Sequence, residues 1–454
     1  MSASTSWAPV RECRCPSGAS WPYSPPERND PSPGRAALHP LRAAGRHRVT
    51  PFHVPERIFV ESFALQAGRM FDGFRSSGPV TVVVEKGRVA RVDPSGGTPP
   101  DGLPLIDLGA DACLLPGLID AHVHLAFNAG PDVLGDVVAA DDDELLAGMR
   151  RAADQALRAG ITTVRDLGDR NFLALRLRTE LEQRVGSGPE IIAAGPPITT
   201  TGGHCYFLGG EAEGEAALLA AVRERHERGC QVVKIMASGG KMTPGSAPHK
   251  PQYSSAELRL VVREAHRLGM PVAVHAHAPT SIQDALDAGV DTIEHVSFLR
   301  EDGLEVDEAI LARAATSDTY LSLTLGYVAP TAEGGSAVAP EALAFTKTYG
   351  LLAEKLVESG ARIVAGTDAG VAPFKPHDVL PHGVAELVAG GLTPLAALTT
   401  VTSVAAQACG VADRKGRIAV GADADLLVVN GNPLHDVSRL RHVRAVFRAG
   451  ARVR

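Results

Sequence analysis

Two histidines stand one residue apart in the stretch "GLIDAHVHL", residues 117 to 125. Side chains along a strand alternate with period 2, so His122 and His124 point to one face and can reach one cation together. Read alone, the pair could equally be satisfied by backbone carbonyls. Further along the chain, similar short apolar runs carry Lys234 in "VVKIM", His275 and His277 in "MPVAVHAH", His295 in "DTIEHV" and Asp368 in "GTDAG". Imidazoles and a carboxylate gathered this way suit a divalent cation that activates water. Lys234 is the odd member, because an ammonium has no lone pair and repels a cation. It could snorkel to solvent. It could also react with carbon dioxide to give an anionic carbamate whose two oxygens bridge two metals.

The elements that must hold these residues follow from periodicity. Eight apolar runs alternate with amphipathic stretches: "CLLPGLI", "ITTVRDL", "EIIAAG", "QVVKIM", "MPVAVHAH", "DTIEHV", "TYLSLTL" and "ARIVAGTDAG". Between the first two, "DDDELLAGMRRAADQALRAG" (141–160) opens with acids and closes on Gly, as a helix does. Repeated βα units of this kind predict an α/β chain, a (β/α)8 TIM barrel over 113–411, whose chemistry sits at the carboxyl ends of the strands. Five of the eight ends then carry a ligand or a proton carrier. Outside the barrel, "VTVVVEKGRVARVD" (80–93) alternates like exposed strands, and 416–454 reads as more strands. Residues 1–56 are rich in Pro, Ser, Gly and Arg without periodicity, and are expected to be a disordered extension. Their Arg11, Arg14, Arg28, Arg35, Arg42, Arg46 and Arg48 would suit a nucleic-acid arm, and an organelle transit peptide is disfavoured by the prolines.

Composition narrows the partners. The 454 residues carry a formal net charge of −7, which supplies no basic field for nucleic acid and points to a small-molecule or dipeptide substrate. Cys13, Cys15, Cys113, Cys205, Cys230 and Cys409 form no CxxC pair, so neither a zinc knuckle nor a disulfide framework is indicated and a reducing cytoplasm is expected. No apolar run is long enough to span a membrane, and no secretory h-region is present at the start. Two other chemistries fail on their motifs. "SGGKMT" has Ile235 and Met242 where a Walker A loop needs Gly and Ser or Thr, and no G-x-S-x-G occurs anywhere.

"PGLIDAHVHL" and "GTDAG", with Lys234, His275, His295 and Asp368 in order between and within them, resemble the amidohydrolase superfamily from about residue 60 to the C-terminus. The resemblance implies two divalent ions, typically zinc, with His122, His124 and Asp368 on one, His275 and His295 on the other, and a carboxylated Lys234 bridging. Asp368 would accept a proton during attack and deliver it to the departing nitrogen. His277 would lie beside the ligands or face the substrate. Residues 57–112 and 412–454 would pack as a small β-sandwich. The loops "ITTTGGHCYFLGG" (198–210) and "ASGGKMTPGSAPHKPQYS" (237–254) resemble the Xaa-Pro dipeptidase-like branch, which neighbours the imidazolonepropionases. Lys241 departs from that pattern, where an apolar residue is expected. A dipeptide or N-acyl amino acid has a free carboxylate, for which His204, Tyr253, Lys241 and Arg165 are the candidate donors. The leading expectation is therefore a binuclear hydrolase cutting an amide C–N bond. Its rivals are a cyclic-amide hydrolase of the imidazolonepropionase type, which does not use the lysine as a ligand, and a non-catalytic barrel scaffold, which would have lost ligands. Homo-oligomers are common in the family, an analogy that extends to this chain.

Overall fold

The computed structural model describes residues 62–328 and 340–454. The expected extension 1–56 lies outside the described residues. Eight strands make two parallel sheets: β1 (Leu118–Val123), β2 (Ile161–Asp166), β3 (Glu190–Ala193), β4 (Val233–Met236), β5 (Val272–Ala276), β6 (Thr292–His295), β7 (Tyr320–Ser322) and β8 (Arg362–Ile363). The first sheet has the order β3-β2-β1 and the second β4-β5-β6-β7-β8. Two further parallel bridges, Ile198 with Ile235 and Val123 with Ala369, link the sheets at both edges.

These strands are short and nearly all buried, as expected where helices cover a parallel sheet. The helix Asp142–Arg158 shows how the covering forms. Asp141 caps it by accepting from the backbone of Asp143 and Glu144, while Glu144 reaches back to the Asp141 amide. Its buried residues Leu145, Leu146, Met149, Ala152, Ala153, Ala156 and Leu157 recur at helical spacing and form the core-facing stripe.

The run 113–119, expected to be one strand, is two. Ala112–Pro116 pairs antiparallel with Leu426–Asn430, and the chain re-enters the parallel sheet at Leu118. Gly117 permits the switch, since a Cβ there would stand 2.1 Å from Thr162 Oγ1. The eighth run is also shorter than expected. Beyond Ile363 the backbone leaves the ladder, and the amides of Thr367 and Asp368 both donate to the His122 carbonyl. Gly366 lets this segment lie against His122, whose Cβ would be 2.6 Å from an added one.

Strands from both chain ends build two more sheets. Four strands run in the order Arg88–Asp93, Val80–Glu85, Ser62–Ala67, Leu105–Asp107, and six in the order Ala451–Arg452, Val443–Arg448, Leu426–Asn430, Ala112–Pro116, Arg69–Phe71, Ser76–Ser77. One apolar cluster joins them, with Phe63, Leu65, Val82 and Val84 from the first packed with Leu114, Leu426, Val428 and Phe447 from the second.

Candidate active site

The carboxyl ends of β1, β5, β6 and the segment after β8 bring six potential donors together in two groups. His122, His124 and Asp368 form one, and His275, His277 and His295 the other. Within each, one ligand atom per residue lies within 4.8 Å of the rest. In the first, His122 Nε2 is 3.3 Å from His124 Nε2, and Asp368 Oδ1 is 3.4 and 3.3 Å from the two imidazoles. The groups abut, since the ring of His122 lies 5.3 Å from that of His295. His277, expected beside the ligands, stands inside the second group, its ring stacked 4.6 Å from His295.

Each imidazole is oriented by the nitrogen it turns away from the centre. His122 Nδ1 lies 2.9 Å from Glu294 Oε2, His124 Nδ1 2.9 Å from the Gly168 carbonyl, and His275 Nε2 3.0 Å from the Gly239 carbonyl. His277 Nδ1 meets Ser297 Oγ at 2.6 Å and His295 Nδ1 meets Thr324 Oγ1 at 3.1 Å. Burial pushes His122 down to about 4 and His277 to about 3, and His275 and His295 fall well below the ordinary range for the same reason, helped by their histidine neighbours. These imidazoles are neutral at pH 7, with a lone pair to offer. Burial pushes the Asp368 carboxyl up, but the His124 hydrogen bond and the charges of His124 and Lys375 work against it, and it is held well below the usual range. His295 (φ 73°) and Asp368 (φ 59°) occupy the left-handed region, conformations that persist only where the surroundings fix them.

Lys234 on β4 is 1% exposed, and its Nζ has no hydrogen-bond partner among the described residues. Burial lowers it to about 8 against the opposing charges of Glu294 and Asp368. A buried amine without an acceptor, its proton loosened by burial and its charge felt by His122, His275 and His295, fits a group that is converted to a carbamate, and the donor chemistry of those histidines fits divalent ions.

The expected substrate contacts divide. His204 joins the site, its ring 4.6 Å from His275 and its Nδ1 3.1 Å from Thr243 Oγ1. Gly240 packs on that ring, where a Cβ would come within 2.3 Å. Lys241, the next residue, is exposed, and its charge depresses His277. Arg165 is placed elsewhere than expected. It lies buried beside Glu294, with Nε 2.6 Å from the Ala121 carbonyl and Nη2 3.0 Å from Glu294 Oε1. Tyr253 likewise spends its hydroxyl on the Ala212 carbonyl, at 2.8 Å.

Glu294 was not anticipated. Burial pushes it up, but His122, Arg165 and Lys234 outweigh this and hold it at about 2, so it remains a carboxylate. The signal available was an acid inside an apolar strand, next to a histidine. Asp166 was also passed over; it accepts from the amides of Leu125 (2.9 Å) and Gly168 (3.1 Å), fixing the turn whose carbonyl holds His124.

This arrangement, with a sequence profile of the amidohydrolase family matching residues 113–453, places the chain in that family. It is a hydrolase of carbon–nitrogen bonds with an α/β, TIM-barrel-like fold, in a family that generally uses divalent metals. Among particular proteins, it is similar to ochratoxinase of Aspergillus niger, 28% identical over 364 residues that cover 73% of each chain. Imidazolonepropionase of Cereibacter sphaeroides is 26% identical over 403 residues, 80% of this chain and 91% of that one. The crystal structure of a Xaa-Pro dipeptidase with bound methionine in the active site superposes with a TM-score of 0.75 at 28% identity, covering 86% of this chain and 99% of that chain.

Proposed function

We propose that the chain is a binuclear amidohydrolase that cleaves the amide bond of a dipeptide or an N-acyl amino acid. The observation that carries this reading is the unpartnered amine of Lys234, buried among two abutting donor groups. His122, His124 and Asp368 would hold one divalent ion, zinc by preference, and His275 and His295 the other. Lys234, carboxylated by carbon dioxide with loss of its proton, would bridge them. Bound there, the ions would supply a water of lowered pKa and a Lewis acid for the scissile carbonyl. Asp368 takes the proton of the attacking water and hands it to the departing nitrogen. His204 and His277 border the scissile bond, and Lys241 is the cation for the substrate carboxylate, because Arg165 and Tyr253 are committed elsewhere.

The same reading treats β1 to β8 as one barrel over 113–411, closed through the bridges at Ile198 and Val123, and the two end sheets as a β-sandwich from 57–112 and 412–454. Cys113, Cys205, Cys230 and Cys409 are unpaired and buried, which supports a reducing compartment such as the cytoplasm. Among the described residues no helix is long and apolar enough to cross a membrane.

The test is amino-acid release from a panel of dipeptides and N-acyl amino acids by purified, zinc-supplemented chain, beside Lys234→Ala. Turnover that the substitution abolishes is expected. Protein carrying two ions per chain that cleaves nothing in the panel would overturn the reading in favour of cyclic amides, the reaction class of the imidazolonepropionase relative.

A further inference from the structure

Lys375 is a second buried lysine, 5% exposed, and unlike Lys234 it is fully engaged. Among the described residues its ammonium meets no carboxylate within ion-pair distance. It donates to three backbone carbonyls: Thr324 at 2.6 Å, Thr367 at 2.7 Å and Gly326 at 3.3 Å. An ammonium has three donors, so its capacity is filled. The carbonyls come from two different turns, the one after β7 and the one after β8.

Both turns are strained, and both carry the site. Thr324 has φ 50° and its side chain orients His295. Thr367 precedes Asp368 at φ 59°, and the Thr367 carbonyl belongs to the peptide that ends in the Asp368 nitrogen. Non-glycine residues held in the left-handed region cost on the order of 1–3 kcal/mol each and need surroundings that over-determine them. Neither turn belongs to a regular ladder at that point, so the ammonium acts as the shared tie. The loop also closes on itself, since the Gly370 amide donates to the Lys375 carbonyl at 2.8 Å.

We infer that Lys375 is a positioning residue that locks the turns bearing Thr324 and Asp368 in one register, and so sets His295 in one donor group and Asp368 in the other at once. This rests on the two-ion reading above. Its particular consequence is that loosening one tie weakens both ion sites together, whereas loss of Glu294 or Ser297 acts first on a single histidine. The cage of three carbonyl oxygens also has the chemistry of a small monovalent cation site once the side chain is removed.

The experiment is cobalt(II) titration of the metal-free full-length chain, followed by visible absorbance, for wild type, Lys375→Met and Lys375→Ala, with thermal unfolding of each. Both variants should bind cobalt roughly 10- to 100-fold more weakly at both sites, the range for removing a residue that orients ligands. Ammonium chloride should restore affinity in Lys375→Ala saturably, and tetramethylammonium, too large for the cage, should not. Cobalt bound by the wild type and equally well by both variants overturns the inference alone. Variants that unfold, or whose Tm ammonium restores without restoring cobalt affinity, overturn it too, since Lys375 then serves the fold only. A wild-type chain that takes up no cobalt overturns the two-ion reading and this inference with it.

Discussion

At Glu294 a buried negative charge does two jobs, accepting from His122 and neutralising Arg165. Glu294→Gln keeps the shape and removes the charge, leaving an unpaired guanidinium 1% exposed, which should cost about 3–5 kcal/mol of stability. Metal affinity should fall by roughly 10- to 100-fold as His122 loses its partner. Thermal melts and metal titration read the two effects separately, and a variant unchanged in both would refute the role. Lys234→Met, which can bear no carbamate, should lose essentially all turnover while staying folded, because an uncharged side chain there ends the cost of burying an amine. Single residues also mark the limit of the sequence reading. The histidines, Lys234 and Asp368 were legible because strand periodicity alone puts them at strand ends. Glu294 was not, because strict alternation sends it to the face opposite His295. The left-handed φ of His295 breaks that alternation, so that both side chains reach His122. That Arg165 meets Ala121 and Glu294, and Tyr253 the Ala212 carbonyl, was not legible, because spacing says where a polar side chain starts and only packing says which acceptor claims it.

At the scale of elements, the loops after β3 and β4 behave as one piece. The His204 amide donates to Gln252 Oε1 at 2.6 Å, and Thr243 Oγ1 takes the Cys205 amide at 2.8 Å. Gly240→Ala should therefore displace His204 from His275, lowering kcat/KM, and the overpacking of this buried contact should cost about 1–3 kcal/mol. A Tm loss with unchanged kinetics would contradict it. A second tie fastens β3 to the C-terminal strands. Lys415, 3% exposed, meets Glu190 and Asp423 at 3.1 Å and also Asp425, while Arg448 bridges Glu190 at 3.2 Å and Asp425 at 3.1 Å. Burial pushes both carboxyls up, but their cationic partners outweigh it, so Glu190 and Asp425 lie below their ordinary values. Depressed carboxyls lend stability that is complete above their unfolded values, near ~4, and is lost as pH falls through the folded ones. The Tm should thus drop as pH is lowered from about 5 towards 3. In Lys415→Met the Tm at neutral pH should be lower and the acid drop shallower; an acid profile identical to wild type would exclude the network as its source. Pairing across the two chain ends was only partly legible. The strands themselves announce their alternation, but which distant strand they meet is decided by packing in the shared core of Phe63, Leu114 and Phe447.

For the molecule as a whole, ion binding and folding should be linked, because the donors come from β1, β5, β6 and the segment after β8 and are brought together only in the native state. Chelation should abolish turnover and lower the Tm, and zinc at about 100 times its dissociation constant should restore about 2.7 kcal/mol for each site filled. A Tm indifferent to chelator and metal would argue that the native chain binds no ion there in preference to the unfolded one. The alternation of strand and helix was readable across the two parallel sheets. The handover at Gly117 was not, since one apolar run serves two sheets in succession. That handover governs how the chain can be made. Ala112–Pro116, the segment leading straight into His122, pairs with Leu426–Asn430, about 310 positions later. The ribosome therefore releases the first pair of histidines long before the partner that anchors them exists. During synthesis β1 gains its second flank only when the segment after β8 emerges, and the strand before it gains its partner later still, when Leu426–Asn430 has been made. A polypeptide stopped short of Leu426 would keep every ligand yet lack the strand that pairs with the lead-in to His122, and it should bind ions more weakly than the full chain, which metal titration of the shortened chain would check.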